Sequence, residues 1–221
     1  MDGEASDEEM QTGKRREGKR KMIRSIQMLI DDHARMRSML VCFEGQLERF
    51  ENAEKPDYEI LGGSIAYCQE YLDRWHHPHE EMILDLLKRR APAKARIFVE
   101  LDDQHRGLAR VSEELVTLFD AVEQDAEFPR ERLVELGRTL LDDYRHHLEW
   151  EETNFFSAAM EHLLPEDWRE IAGRFAASTV PPTPSLIDQR YQTLHDAISE
   201  AKAVPDATHR QRSGREQIQR H

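Results

Sequence analysis

Two short runs in the sequence place histidine and glutamate four residues apart: His76 with Glu80 in WHHPHEE, and His147 with Glu151 in RHHLEWEE. Four residues is about one helical turn, so each pair shares a helix face and can reach a common volume. Two more histidines, His33 and His105, each interrupt an otherwise apolar strip. Such a strip should bury apolar side chains, and a buried carboxylate without a partner is costly or neutralises itself. Four histidines and two glutamates in one layer therefore need compensation. A pair of metal ions supplies it, because neutral imidazole and carboxylate are good ligands for iron, zinc or manganese.

The elements that must position these residues are helical. The first strip reads Ile26, Leu29, His33, Met36, Leu40, Phe43, Leu47, Phe50, in steps of three and four. The run NAEKPD breaks it at residues 52–57. A second helix is expected over about residues 58–90, ended by Pro92. The third strip reads Phe98, Leu101, His105, Leu108, Ser112, Leu115, Phe119, Val122. Pro129 fits the first turn of a fourth helix, expected to run to about residue 162. Its strip is Leu133, Leu136, Leu140, Tyr144, His147, Glu151, Phe155, Ala158. Pro165 opens a shorter amphipathic segment, PEDWREIAGRFAA; PPTP then breaks the chain, and a last helix is expected over about residues 185–203. The fold class is therefore all-α. Short connections between long helices predict an antiparallel up-down-up-down four-helix bundle with additional C-terminal helices.

Helix phase separates the members of the crowded runs. At about 100° per residue, Ile65, Leu72, Ile83 and Leu87 fall together, with His76 near their centre and Glu80 beside it. His77 and Glu81 rotate toward the flank. His79 falls near the inner face, one turn from His76, and is a candidate extra ligand. On the fourth helix His147 and Glu151 align with Leu140 and Tyr144, whereas His146 points away. The candidate metal ligands are thus His33, His76, Glu80, His105, His147 and Glu151. His77, Glu81, His146, Glu152 and His162 are expected to be solvated or to orient ligands, and Asp32 and Asp102 are candidates for that orienting role. Tyr144 is placed by phase to donate near the centre, although a core aromatic with a satisfied hydroxyl is the simpler reading. The interval from His33 to His76 is 43 positions and that from His105 to His147 is 42, which suits ligands at one depth of a bundle.

The 221 residues suffice for one domain with extensions. A disordered tail is expected over 1–20, where acidic residues give way to basic ones, and a disordered basic tail over 203–221. Between them lie a bundle over 21–163 and a helical extension over 164–202. That extension is expected to pack on the bundle, because Trp168, Ile171, Phe175, Leu186, Ile187, Tyr191 and Leu194 need burial. A formal net charge of −13 disfavours nucleic acid and anionic membrane surfaces as partners. No apolar run approaches the ~20 residues that span a bilayer. The N-terminal stretch lacks the apolar core of a secretory signal, and Cys42 and Cys68 form no disulfide framework, so a reduced, cytoplasmic protein is expected. The oligomeric state is left open.

The motifs together resemble the hemerythrin family, the HHE cation-binding domain. The residues that carry the likeness are DDHARM around His33, HHPHEEMIL around His76, the lone histidine of DDQHRGL, and HHLEWEETNFF around His147. LPEDWREIAGRFA resembles an extension found in a bacterial branch of that family. The likeness covers about residues 22–200. It implies two iron ions in a non-haem di-iron centre with an oxo or hydroxo bridge. It also implies that Glu80 and Glu151 bridge the irons, and that His33, His76, His105 and His147 are terminal ligands. Oxygen-carrying members have a further histidine one turn from the position of His105; here Leu101 and Ala109 stand there, and neither can ligate. The resemblance therefore leans toward members linked to nitric-oxide chemistry, iron handling or redox sensing.

Six protein ligands and one bridging oxygen leave octahedral irons unsaturated, and open positions admit a small molecule. Dioxygen, nitric oxide and peroxide fit a narrow bundle core. The expected function is binding of, or response to, such a ligand. A di-iron oxidoreductase that turns it over, or an iron-handling or repair protein, is the alternative.

Overall fold

A computed structural model describes residues 2–123 and 130–178. Every element among the described residues is helical, so the chain is all-α. Helix α1 spans Asp2–Glu51. It closes with Ala53 in the left-handed region (φ 62°), where the Glu54 amide reaches the Arg49 carbonyl and the Ala53 amide the Phe50 carbonyl. Asp57 then caps α2 (Tyr58–Tyr67), its carboxylate accepting from the Glu59 and Ile60 amides at 3.0 and 3.2 Å. A π-helical stretch, Cys68–His76, carries α2 without a break into α3 (His77–Arg90). After a short 3₁₀ turn at Pro92–Lys94 come α4 (Ala95–Glu123) and α5 (Arg130–Trp150). A second π-helical stretch, Glu151–Phe155, joins α5 to α6 (Phe156–His162), and α7 spans Pro165–Ala177.

Helix α1 packs against α2, α5 and α7; α4 packs against α2, α3 and α5; α3 also meets α6 and α7. The buried apolar residues fall into two clusters. One holds Met36, Leu40, Phe43, Leu47, Leu72, Leu108, Leu115, Leu140 and Tyr144. The other holds Ile26, Leu29, Ile83, Leu87, Leu101, Phe155, Phe156, Trp168 and Ile171. Each rod crosses from one cluster to the other at a candidate ligand. His33 lies between Leu29 and Met36, and His105 between Leu101 and Leu108. His76 and Glu80 lie between Leu72 and Ile83; His147 and Glu151 lie between Tyr144 and Phe155. The polar layer is thus a seam across the core.

Helix α7 is held by Trp168 and Ile171, both buried in the second cluster. Arg90 at the end of α3 adds two hydrogen bonds of 2.8 Å to the Asp167 carboxylate. The expectation of a disordered tail over 1–20 gives way to helix from Asp2 onward. The stretch contains no proline and is rich in good helix formers. It also gains a packing partner. Gly18 is buried so close to α7 that an added Cβ would stand 2.3 Å from the Cβ of Pro165. The expected last helix near 185–203 and the basic tail 203–221 lie outside the described residues. Among the described residues, no helix is long and apolar enough to cross a membrane.

Candidate metal centre

The six side chains singled out by phase converge. His33 from α1, His76 from the first π stretch, Glu80 from α3 and Glu151 from the second π stretch form one group of mutually close ligand atoms, all within 4.8 Å of one another. His77, His105 and His147 form a second such group. The two carboxylates stand between them. Glu80 directs Oε1 to Nε2 of His76 at 2.9 Å and of His33 at 3.9 Å, while its Oε2 lies 3.5 Å from Nε2 of His105. Glu151 sets Oε2 at 3.2 Å from His33 and 3.5 Å from His147, with Oε1 3.6 Å from His105. Each glutamate thus faces both groups.

Three of the imidazoles are oriented from behind. His33 donates from Nδ1 to Glu152 at 2.8 Å, and Arg37 holds Glu152 from the other side at 2.9 Å. His76 points Nδ1 at Asp32, 3.3 Å away, and Asp32 also accepts from the Tyr71 hydroxyl at 2.9 Å and from Arg35. His147 donates from Nδ1 to the Gln104 amide oxygen at 3.1 Å. With each Nδ1 proton committed outward, the Nε2 lone pairs face the layer.

This arrangement fits a cation. Nε2 of His33 and of His76 stand 3.2 Å apart, so two neutral imidazoles would oppose lone pair to lone pair. All four oxygens of Glu80 and Glu151 are buried without a hydrogen bond of sound geometry, as is Nε2 of His105. Buried polar atoms are rarely left so, and a group of orphans pointing at one volume marks a missing ligand. Protons are the other means of relief. Burial pushes the His33 imidazole down, but Glu151 and Glu80 outweigh it and hold it up at about 9; the same balance holds His105 up at about 10. Burial pushes Glu80 up, yet His76, His105 and His33 draw it well below the usual carboxylate range. Burial lowers His147 to about 4. A metal ion would displace the protons on His33 and His105, so binding releases them.

The family model for the hemerythrin HHE cation binding domain matches residues 24–159, which include every one of these side chains. The chain belongs to the hemerythrin family. No curated protein and no solved structure matches it. Its hemerythrin domain therefore brings a metal-binding site, and the histidine–glutamate cluster is where the donor atoms gather.

One expectation about the hemerythrin layer needs correction. His79 does not join the cluster as an extra ligand. Its Nδ1 bonds the Trp75 carbonyl at 2.6 Å and its Nε2 meets the Ser178 hydroxyl at 3.0 Å, while Phe175 of α7 packs edge-on against the ring. His77, expected to be solvated or to orient ligands, is half-buried and stacks on His105 with ring centroids 4.1 Å apart. Helix α3 meets α4 where His77 lies and α7 where His79 lies, so neither of these side chains stands on a fully solvated face. Glu81 and His146 are exposed. Tyr144 is buried, its ring 6.5 Å from that of His147. Of the orienting candidates, Asp32 reaches His76, whereas Asp102 is exposed and pairs with Arg106. Glu152 proves to be the partner of His33. Gln104 was not singled out by sequence. Its signal lies in its place beside His105, on the edge of α4 that faces α5.

Proposed function

We propose that this protein holds a non-haem di-iron pair, oxo- or hydroxo-bridged, on His33, His76, Glu80, His105, His147 and Glu151. In this reading it binds or responds to a small diatomic or redox ligand: dioxygen, nitric oxide or peroxide. The four rods that carry the ligands form an antiparallel up-down-up-down bundle over residues 21–163, extended by 164–202, in a cytoplasmic protein. The observation that carries the reading is that each buried carboxylate faces both histidine groups: Glu80 divides its oxygens between them, and Glu151 sets Oε2 near His33 and His147 and Oε1 near His105. A carboxylate whose two oxygens face different imidazoles is arranged to bridge two cations.

Two irons would supply Lewis-acid and redox chemistry at a position left open by the protein. The chain's own residues do the rest. His33, His76, Glu80 and Glu151 are buried, which keeps bulk water from the layer. Glu152, Asp32 and Gln104 fix the tautomers that present Nε2 inward. Two surface clefts, one bordered by Arg37, Val41 and Arg145 and the other by Asp103, Gly107 and His146, have no ligand candidate in their walls. A small ligand suits that enclosure better than an organic substrate does.

The test is metal content with an optical spectrum. Protein purified anaerobically and loaded with ferrous iron should hold two irons per chain. On oxidation it should show the charge-transfer bands of a bridged di-ferric pair, and those bands should change with nitric oxide or azide. Fewer than one iron per chain would sink the reading. Consumption of the ligand beyond one equivalent, with a reductant present, would move the protein to the oxidoreductase class.

A further inference from the structure

We infer that His77 is a seventh metal ligand, and that it completes the second metal position together with His105 and His147. This rests on the metal-pair reading above and adds to it a residue outside the proposed six.

The first π stretch ends with the His77 amide bonded to the Leu72 carbonyl, five residues back. At about 100° per residue, Leu72 and His77 would lie about 140° apart around an α-helix. A turn closed by a five-residue hydrogen bond holds one residue more, so each residue advances by less. Leu72 is fully buried and marks the inner line of the helix. In the widened turn His76 and His77 straddle that line instead of following one after the other from inside to flank. Two consecutive histidines can then serve two different positions.

The side chains follow that geometry. His76 sets Nε2 at 2.9 Å from Glu80 and 3.2 Å from Nε2 of His33, within the first group. His77 turns to the second. Its ring stacks on His105 at 4.1 Å and meets His147 edge-on at 6.1 Å, and one ligand atom from each of these three residues falls within 4.8 Å of the others. His105 and His147 are themselves edge to face at 5.0 Å. Three imidazoles from α3, α4 and α5 thus border one volume, which the Oε2 of Glu80 and the Oε1 of Glu151 reach from the other side. Imidazoles paired only for packing have no need to bring their nitrogens to one point.

The donor count then differs between the positions. The first receives His33, His76 and one oxygen from each glutamate. The second receives the other glutamate oxygens and three imidazoles. With a bridging oxygen added, the second position would have six donors and the first five.

Cobalt(II) titration of the whole metal-free chain, followed by visible absorption, tests this. Wild type should bind two cobalt ions. His77→Ala should keep the first at unchanged affinity and hold the second at least ~100-fold more weakly, beyond the 10–100-fold typical of an orienting group. The d–d bands of the second ion should also intensify as its coordination number falls. His77→Gln should behave alike, which guards against a packing defect in the alanine variant, and His79→Ala should match wild type. Unchanged affinity and spectrum in both His77 variants would overturn the inference and leave the pair intact. Weakened binding with an unchanged spectrum would also overturn it, making His77 a residue that positions His105. Fewer than two cobalt ions on wild type would remove the metal pair itself, and the inference with it.

Discussion

On the His33–His76 side of the centre, each imidazole leans on a carboxylate: Glu152 behind His33 and Asp32 behind His76. On the His105–His147 side, the group behind His147 is the neutral Gln104 amide. The first pair is fully buried, whereas the His105 side chain is 15% exposed. A carboxylate behind a ligand imidazole raises its basicity and fixes its tautomer more firmly than an amide does. The two sides should therefore hold cations with different strength, the buried carboxylate-backed side more tightly. The lesson is that two similar sets of donor residues can be made unequal by what stands behind them.

The most damaging change to this arrangement is the loss of a shared carboxylate. In the proposed pair Glu151→Ala would remove a ligand atom from both sides, and metal analysis should find half or all of the bound metal gone. Retention of the full complement would show that Glu151 does not hold metal. Next come single-side losses. His33→Ala and His105→Ala should each leave about one metal per chain, with His33→Ala removing the tighter of the two. Should the order of affinity reverse, the comparison fails while the pair stands.

Smaller effects come from the partners behind the imidazoles. Asp32→Asn should weaken the His76 side by about 10–100-fold, and Gln104→Glu should strengthen the His147 side. Competition against a chelator of known affinity would read both, and equal shifts on the two sides would erase the asymmetry.

The pH dependence has a definite sign. In the metal-free chain His33 is held up at about 9 and His105 at about 10, above the ordinary histidine value of 6.5. Their contribution to stability is complete below 6.5 and disappears as pH rises through 9 to 10. Chemical denaturation should show the metal-free protein weakening over that window, and the loaded protein should lack that loss. Last and smallest, His146→Ala should change neither metal content nor stability, because the residue is exposed outside the layer.

The cluster of candidate ligands was legible in the sequence because these residues interrupt apolar strips. His33 between Leu29 and Met36, or His105 between Leu101 and Leu108, is conspicuous at helical spacing, and the all-α class follows from the same strips. That His77 faces His105 and His147 while His79 turns to Ser178 and Phe175 was not legible. It depends on a π stretch, which no residue type announces, and on which neighbour covers each flank of α3. Gln104 was invisible for a related reason: its partner, His147, lies on another helix. The helix over 2–20 was hidden because a charged composition says nothing of the contact between Gly18 and Pro165.

The seam between the two apolar clusters has a consequence for cooperativity. Each cluster alone is a small core, one around Phe43 and Leu140, the other around Phe156 and Trp168. Without a cation, the layer between them is held by protons and by imidazoles facing carboxylates. With cations in place, α1, α3, α4 and the α5–α6 rod are tied at mid-length. Filling the centre should therefore turn two melting units into one, and metal occupancy becomes something the whole chain can report through its rigidity.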